Sequence, residues 1–205
     1  MVHKSQHSDA TRASLLLRLK RAGPEREAAW TEFYALYSPI ISGFARRLGT
    51  PSQEIDDLIQ DVLKSFLAVA PAFNYDCDSG GFRSYLKACV CNKLTEVRRK
   101  RGRQLSHLDT DGPVDPSNVA IEAVWKDVWE TEKLGRALTF VRQRYSTNEE
   151  RRRTLRAFEM CTLLDRPTDQ VAAELGLSME SVRTAKSRVS KALREEFDRL
   201  DEIVG

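Results

Sequence analysis

The sequence predicts an all-α protein made of two small helical domains joined by a linker. Apolar residues recur every three or four positions along most of the 205 residues, which is typical of amphipathic helices. The seven prolines and ten glycines are few, and no stretch alternates strictly enough to be a strand. The apolar period is lost after residue 102, so we predict a first domain over 12–104, a linker over 105–120 and a second domain over 121–205.

Four helices are predicted in the first domain. A short helix over residues 14–21 is followed, after a Gly-Pro pair, by a longer one over 24–48. The third, over 51–70, has apolar residues at i, i+3, i+4, i+7 and i+8, the clearest amphipathic pattern in the chain. A polar, glycine-containing loop at 74–81 then leads to the fourth helix over 82–100.

The second domain is predicted to begin with a long helix that starts near Val119. Trp125 and Trp129 lie four residues apart on it, and we expect them to anchor this helix against its own domain. Docking of the two rings on the first domain or on a partner protein is the alternative. Three further helices are predicted over residues 148–164, 167–175 and 179–200.

Composition excludes several classes of protein. No run of about 18 apolar residues exists, so no membrane span is predicted, and the polar start of the chain does not resemble a secretory signal. Four cysteines without a small-scaffold spacing favour a reducing, cytoplasmic compartment. The sequence shows no nucleophile–base pair, phosphate loop or cluster of metal ligands, so we predict no enzyme activity, no cofactor and no metal site.

Charge is segregated along the chain, although the formal net charge is only +3. Residues 51–63 carry four acids and no base, whereas residues 82–103 carry eight bases against one acid. Residues 178–194 form a second basic stretch. Each run taken alone is compatible with a solvated helix face, but two basic helices in two domains together indicate two contacts with nucleic acid.

The strongest local signal is a helix-turn-helix around residues 167–182. Ala172 supplies the small residue that two crossing helices require, and Gly176, four residues later, tolerates the positive φ of the tight turn. Ser178 is placed to cap the second helix, and Pro167 suits the start of the first. A helical hairpin that binds a protein, or nothing, is the alternative.

The second helix of this motif has one apolar and one polar face. The polar face is short-chained and cationic, as a helix in the major groove of DNA requires. Lys186 is expected near the buried stripe and is therefore rated below the others. The residues predicted to face DNA are Glu180, Ser181, Arg183, Thr184, Ser187, Arg188 and Lys191.

Several motifs taken together resemble the sigma-70 family of bacterial transcription factors. Asp56-Asp57-Leu58-Ile59-Gln60-Asp61-Val62, Phe82-Arg83-Ser84-Tyr85-Leu86, Asn92-Lys93-Leu94 and Arg98-Arg99-Lys100-Arg101 resemble its region 2. The helix-turn-helix block, which ends in Val182-Arg183-Thr184-Ala185-Lys186-Ser187-Arg188-Val189, resembles region 4. Only a linker separates the two blocks, as in the extracytoplasmic-function (ECF) group.

The resemblance implies a non-enzymatic protein that binds core RNA polymerase and directs it to promoter DNA. In the family, the acidic helix of region 2 docks on the β′ clamp helices. A face of carboxylates repels phosphate, so its partner should be a basic protein surface. The residues assigned to this contact are Glu54, Asp56, Asp57, Gln60 and Asp61.

The resemblance also implies two contacts with the promoter. Region 2 would hold the −10 element as a separated strand, through a base pocket, aromatic rings and cationic side chains. Region 4 would read the −35 element as a duplex, through the polar face described above. The residues assigned to the −10 element are Phe73, Asn74, Tyr75, Asp76, Asn92, Thr95, Arg98, Arg99 and Arg101.

Further partners and two competing functions complete the expectations. An anti-sigma factor is expected, and the basic segment from Arg142 to Arg153 is interpreted as solvated surface, with DNA or the polymerase β flap as its alternative contact. The main competing function is a helix-turn-helix regulator that binds duplex DNA without polymerase. A pure protein-interaction module that sequesters an anti-sigma factor is the other.

Overall fold

The computed structural model describes the backbone of residues 15–21, 23–69, 81–104 and 114–204, and the side chains of 15–21, 23–68, 82–100 and 114–200. Helix α1 is described over residues 15–19. The other helices are α2 (Pro24–Arg47), α3 (Ser52–Val69), α4 (Gly81–Gln104), α5 (Val119–Tyr145), α6 (Glu149–Thr162), α7 (Thr168–Leu175) and α8 (Met179–Val204). These ranges contain no strand, and the predicted all-α class is confirmed.

The described residues divide into two compact units, one up to Glu132 and one over Lys133–Asp201. The division falls inside α5, whereas we expected the second domain to begin at residue 121. Residues 114–132, which include the end of the expected linker, therefore belong to the first unit. The physical reason is burial, since Val114, Trp125, Val128 and Trp129 all join the core of the first unit.

Aromatic rings fill the centre of the first unit. The rings of Phe33 and Phe66 stack with their centroids 4.8 Å apart, and Phe82 meets Phe66 edge to face at 5.2 Å. Tyr37 packs 4.5 Å from Phe33 and 4.9 Å from Phe82. These four residues, each at most 1% exposed, join α2, α3 and α4 into one platform.

The two tryptophans of α5 pack on aromatic rings of α2. Trp125 lies edge to face against Phe44 with the centroids 4.9 Å apart, and Trp129 lies 6.2 Å from Tyr37. The glycine at position 43 allows this close approach, because a Cβ there would lie 3.1 Å from Val128 Cγ1. The expectation that these rings anchor α5 against the second domain was wrong, and the alternative, docking on the first domain, is what the structure shows.

The second unit has two smaller apolar clusters. The first joins α6 and α7 to the start of α8, through Ala157, Met160, Cys161, Val171, Ala172, Val182 and Ala185. The second joins α5, α6 and α8, through Val141, Phe158, Val189 and Ala192. Asn148 caps α6, since its side chain accepts the Arg151 N–H at 2.8 Å. No helix in the described part of the chain is both long enough and apolar enough to span a membrane.

Candidate nucleic-acid and protein interfaces

The acidic residues of α3 lie on one exposed face, as the amphipathic pattern predicts. The opposite face buries Ile55, Leu58, Ile59, Val62, Leu63 and Phe66 in the first core. Asp56, Asp57, Gln60 and Asp61 are exposed, and Glu54 is partly buried. The structure therefore brings these five side chains onto one surface, which we call the α3 acidic face.

A groove between α3 and α4 borders the α3 acidic face. Asp57, Gln60 and Asp61 line it from α3, and Val97 and Lys100 line it from α4. Asp56 is not among its lining residues. The α3 acidic face is therefore a row of carboxylates with a basic side chain at its edge.

Two further lysines lie close to this row. The Lys64 ammonium donates to Gln60 Oε1 at 3.3 Å. A hydrogen bond from Lys93 to Glu96 and the charge of Asp61 hold the pKa of Lys93 above its usual value. Since Lys93 interacts with the carboxylates of Glu96 and Asp61, we expect it to contact DNA less than its place in a basic helix suggests.

Two of the residues predicted to contact the −10 element are exposed on α4, and two make internal hydrogen bonds. Asn92 and Arg99 are exposed. Thr95 Oγ1 donates to the Cys91 carbonyl at 2.9 Å and accepts the Val114 N–H at 2.9 Å. The structure thus ties Thr95 to Val114, in the second half of the expected linker, rather than leaving it open to a DNA strand.

Arg98 ends α2. Its Nη2 donates to the Leu48 carbonyl at 2.7 Å, where the carbonyls at the end of α2 lack helical partners. A cation at this end also suits the helix dipole. This contact gives Arg98 a structural role that its place in a run of bases did not reveal. The predicted −10 residues Phe73, Asn74, Tyr75 and Asp76, and the side chain of Arg101, lie outside the described residues.

Other bases of α4 face the first half of α5. The Arg83 guanidinium lies 5.0 Å from the centroid of the Trp129 ring, and Lys87, whose side chain is 14% exposed, forms an ion pair with Glu122. Arg83 and Lys87 are four residues apart on one side of the helix. The basic residues of α4 therefore include cations that contact α5 (Arg83 and Lys87), a cation that contacts the end of α2 (Arg98) and cations that are exposed (Arg99 and Lys100).

The helix-turn-helix has the geometry that the sequence predicts. Gly176 follows α7 with φ 58° and ψ 43°, a left-handed conformation that glycine adopts without steric cost. Leu177 N–H closes the turn on the Ala172 carbonyl at 2.9 Å. Ser178 Oγ then accepts the Ser181 N–H at 3.0 Å and caps α8, which confirms the predicted cap.

The start of α8 presents a polar face to solvent. The buried stripe is formed by Val182, Ala185, Val189 and Ala192. Lys186 is also exposed, although it follows the buried Ala185 at the edge of the stripe, as its expected place near the stripe implies. All seven predicted residues are exposed: Glu180, Ser181, Arg183, Thr184, Ser187, Arg188 and Lys191.

The start of α6 lies beside this polar face and shares a groove with it. Glu150, Arg153 and Thr154 of α6 line the groove opposite Thr184 and Arg188 of α8. Sequence reasoning interpreted Arg153 as solvated surface. In the structure its guanidinium instead donates to the backbone of the turn that precedes α8, at Leu175 and Gly176. No sequence signal could find this contact, because it joins residues 22 and 23 positions apart.

Comparison with known proteins identifies the first unit. Residues 33–104 match the family described as Sigma-70 region 2, which confirms the sigma-70 resemblance. The match covers most of α2 and all of α3 and α4, and so it includes the α3 acidic face. No curated protein matches the sequence.

One solved structure that resembles the chain is described as "Structure of CnrH in complex with the cytosolic domain of CnrY". The sequence identity is 16%, the TM-score is 0.36, and the alignment covers 92% of this chain and 97% of that chain. A likeness at this level supports no statement about function.

Proposed function

Since residues 33–104 match the family described as Sigma-70 region 2, we propose that the chain is a sigma factor of the ECF group. It binds core RNA polymerase and directs it to promoters by recognition of the −10 and −35 elements. One observation carries this proposal: a sigma-70 region 2 shares its chain with a second compact unit that contains a helix-turn-helix. The short stretch between α4 and α5, residues 105–118, supports the ECF group.

Polymerase docking is assigned to the α3 acidic face. Asp56, Asp57 and Asp61 are exposed on a helix whose other face is fixed in the aromatic core, so these carboxylates form a preorganised surface. Such a row attracts a basic protein surface and repels nucleic acid. The β′ clamp helices of the polymerase are the partner that the family resemblance implies.

Recognition of the −10 strand is assigned to α4 and the loop before it. Asn92 offers an amide that can pair with a base edge, and Arg99 offers a cation for the backbone. Because Thr95 and Arg98 are hydrogen-bonded within the first unit, we rank them below Asn92 and Arg99. Phe73 to Asp76 keep their predicted role as the base-capturing loop.

Recognition of the −35 duplex is assigned to the polar face of α8. A helix enters the major groove with its N-terminal residues toward the base edges, so Arg183, Thr184 and Ser187 are placed to read sequence. Arg188 and Lys191 lie further along the helix and are assigned to phosphate. Two modest contacts on one chain reinforce each other, because the first raises the effective concentration of the second. An anti-sigma partner remains a prediction.

The proposal is tested by transcription with purified core polymerase on a library of promoter fragments. We expect transcripts that depend on this protein and that start downstream of a two-box, asymmetric sequence. A regulator that acts without polymerase would instead protect a symmetric site on duplex DNA with no core enzyme present. That result would replace the proposed function with the competing one.

The docking surface is tested by retention of core polymerase on the immobilised protein. Asp57→Lys reverses a charge in the middle of the α3 acidic face, and we expect it to weaken retention about tenfold or more. Asp198→Lys, at an exposed position of α8, is the matched control and should retain polymerase as the wild type does. Equal retention by Asp57→Lys and the wild type would contradict the docking assignment.

A further inference from the structure

We propose that Arg153 is a positioning residue for the helix that reads DNA, acting through the turn between α7 and α8. The inference rests on the proposed function, since it concerns the reading of duplex DNA by α8. Arg153 lies in the first half of α6, outside the helix-turn-helix itself. The sequence predicts solvated surface for it, with DNA or the polymerase β flap as the alternative contact, and the family match ends before it, at residue 104.

In this contact the Arg153 guanidinium donates hydrogen bonds to two neighbouring backbone carbonyls, an arrangement that we call the Arg153 fork. Arg153 Nε donates to the Leu175 carbonyl at 2.9 Å, and Nη2 donates to the same oxygen and to the Gly176 carbonyl at 3.3 Å. Leu175 is the last residue of α7, where carbonyls have no partner within the helix. The positive charge also lies at the negative end of the α7 dipole.

The glycine of the turn is fitted to this guanidinium. Gly176 has a left-handed backbone, and a Cβ at this position would lie 3.2 Å from Arg153 Nη2. A side chain at position 176 would therefore strain the backbone and press on the arginine at once. Two independent constraints meet at a single residue of the turn.

The hydrogen bonds from Arg153 to Leu175 and Gly176, which we call the Arg153 clamp, lie close to the start of α8. Gly176 is two residues before Ser178, whose hydroxyl caps α8 by accepting the Ser181 N–H. Arg153 also lines the groove that Ser181, Thr184 and Arg188 line from α8. Fixing the carbonyls of Leu175 and Gly176 therefore fixes the direction in which α8 leaves the turn.

The first test measures the clamp without DNA, by amide hydrogen exchange in the full-length protein. Arg153→Lys keeps the charge but loses the fork of donors, and we expect roughly tenfold faster exchange at Leu177 and Ser181. Arg151→Gln is the control, because its side chain makes only a 3.4 Å contact with Thr147. Unchanged exchange in Arg153→Lys would overturn the proposal, whether or not the protein is a sigma factor.

The second test uses DNA. The probe is the duplex that wild-type protein with core polymerase selects from a random pool, compared with the same duplex carrying a scrambled −35 box. We expect Arg153→Lys to lower the affinity ratio of the two duplexes roughly tenfold while the salt dependence is unchanged. Gly176→Ala alters the same turn from the other side and should lower the ratio as well.

A different result would show that Arg153 contacts a phosphate of the DNA instead of positioning α8. In that case Arg153→Lys leaves the affinity ratio of the two duplexes unchanged. Arg153→Gln weakens the binding of both duplexes equally and reduces the slope of affinity against salt concentration by about one. That result overturns the positioning role. If the wild type selects no duplex at all, the proposed function fails, and the exchange experiment still decides whether the clamp holds the turn.

Discussion

The two units of the molecule hold their helices together in different ways. In the first unit seven large rings are buried at the centre of the core, and all are at most 1% exposed: Phe33, Tyr37, Phe44, Phe66, Phe82, Trp125 and Trp129. The clusters of the second unit consist mostly of alanine, valine and sulfur-containing side chains, with Phe158 as their one ring among the described core residues. The contrast is one of buried area, because an aromatic ring removes far more surface from water than an alanine does.

The difference indicates where each unit is sensitive. The first unit depends on a few large side chains whose loss leaves cavities. In the second unit the turn is held by polar contacts, namely the Arg153 fork, the Gly176 backbone and the Ser178 cap. Small residues of this core, such as Ala172 and Ala185, lie between α7 and α8, and the hydrogen bonds at the turn are the contacts that our proposal assigns to fixing α8.

The largest effect is expected from truncating a tryptophan of α5. Trp125→Ala should lower the free energy of unfolding of the first unit by about 3–5 kcal/mol, because a buried ring is replaced by a cavity. Within the described residues the Trp125 Nε1–H has no acceptor, so Trp125→Phe removes an unpaired donor and should cost only about 1–2 kcal/mol.

The measurement is urea unfolding followed by tryptophan fluorescence. All three tryptophans, Trp30, Trp125 and Trp129, belong to the first unit, so fluorescence reports on that unit alone. Amide exchange at residues 155–162 serves as the control for the second unit and should not change. A loss of stability confined to the second unit would contradict the placement of Trp125 in the core of the first unit.

A smaller effect is expected at the cap of α8. Ser178→Ala removes the acceptor of the Ser181 N–H and should destabilise the second unit by about 1 kcal/mol. Ser187→Ala, at an exposed position in the interior of the same helix, should change stability by less than about 0.5 kcal/mol. Thermal unfolding followed by far-ultraviolet circular dichroism compares the two variants. Equal effects would show that the cap contributes nothing.

The last effect is absent at neutral pH and appears in the first unit only at alkaline pH. Burial raises the pKa of Cys91 from 9.0 to about 11, and burial together with a hydrogen bond to Cys89 raises the pKa of Tyr85 from 10.0 to about 12. The unfolded chain loses these protons first. Both groups have a raised pKa in the folded state, so their contribution to stability is fully present below about pH 9 and is lost as the pH rises from 9 toward 12.

The variants separate the two groups. Cys91→Ala should flatten the fall that begins near the ordinary pKa of a thiol, and Tyr85→Phe should flatten the part above the ordinary pKa of tyrosine, 10.0. Tyr34→Phe, an exposed tyrosine of α2, is the control. Tryptophan fluorescence in urea at several alkaline pH values gives the slopes, and a wild-type slope of zero would contradict the burial of these two groups.

Much of the candidate site could be predicted because helical period places residues on faces. The exposed acids of α3 and the polar start of α8 follow from counting 3.6 residues per turn, and so does the turn at Gly176, where only one residue type suits the backbone. Lys186 shows the limit of this counting, because it lies at the edge of the buried stripe and is nevertheless exposed. The placements agree with the proposed contacts, which remain predictions.

Contacts between distant residues could not be predicted. Thr95 and Arg98 occur in a polar, basic stretch, and nothing in that stretch reveals a partner at Val114 or Leu48. The same holds for Trp125 and Trp129, whose spacing predicts a buried side of α5 but not which core buries it. Each of these contacts joins separate elements, and a periodic pattern carries information about one element only.

The sequence by itself determined the helices, their apolar sides, the helix-turn-helix and the separation of acidic from basic surfaces. These follow from local spacing and from the conformational preferences of single residues. The tertiary structure alone decided that the first half of α5 completes the first unit, which bases hold helices together, and that Arg153 reaches the turn before α8. Those outcomes depend on which surfaces meet after the chain folds, because burial and hydrogen-bond partners are properties of pairs of elements.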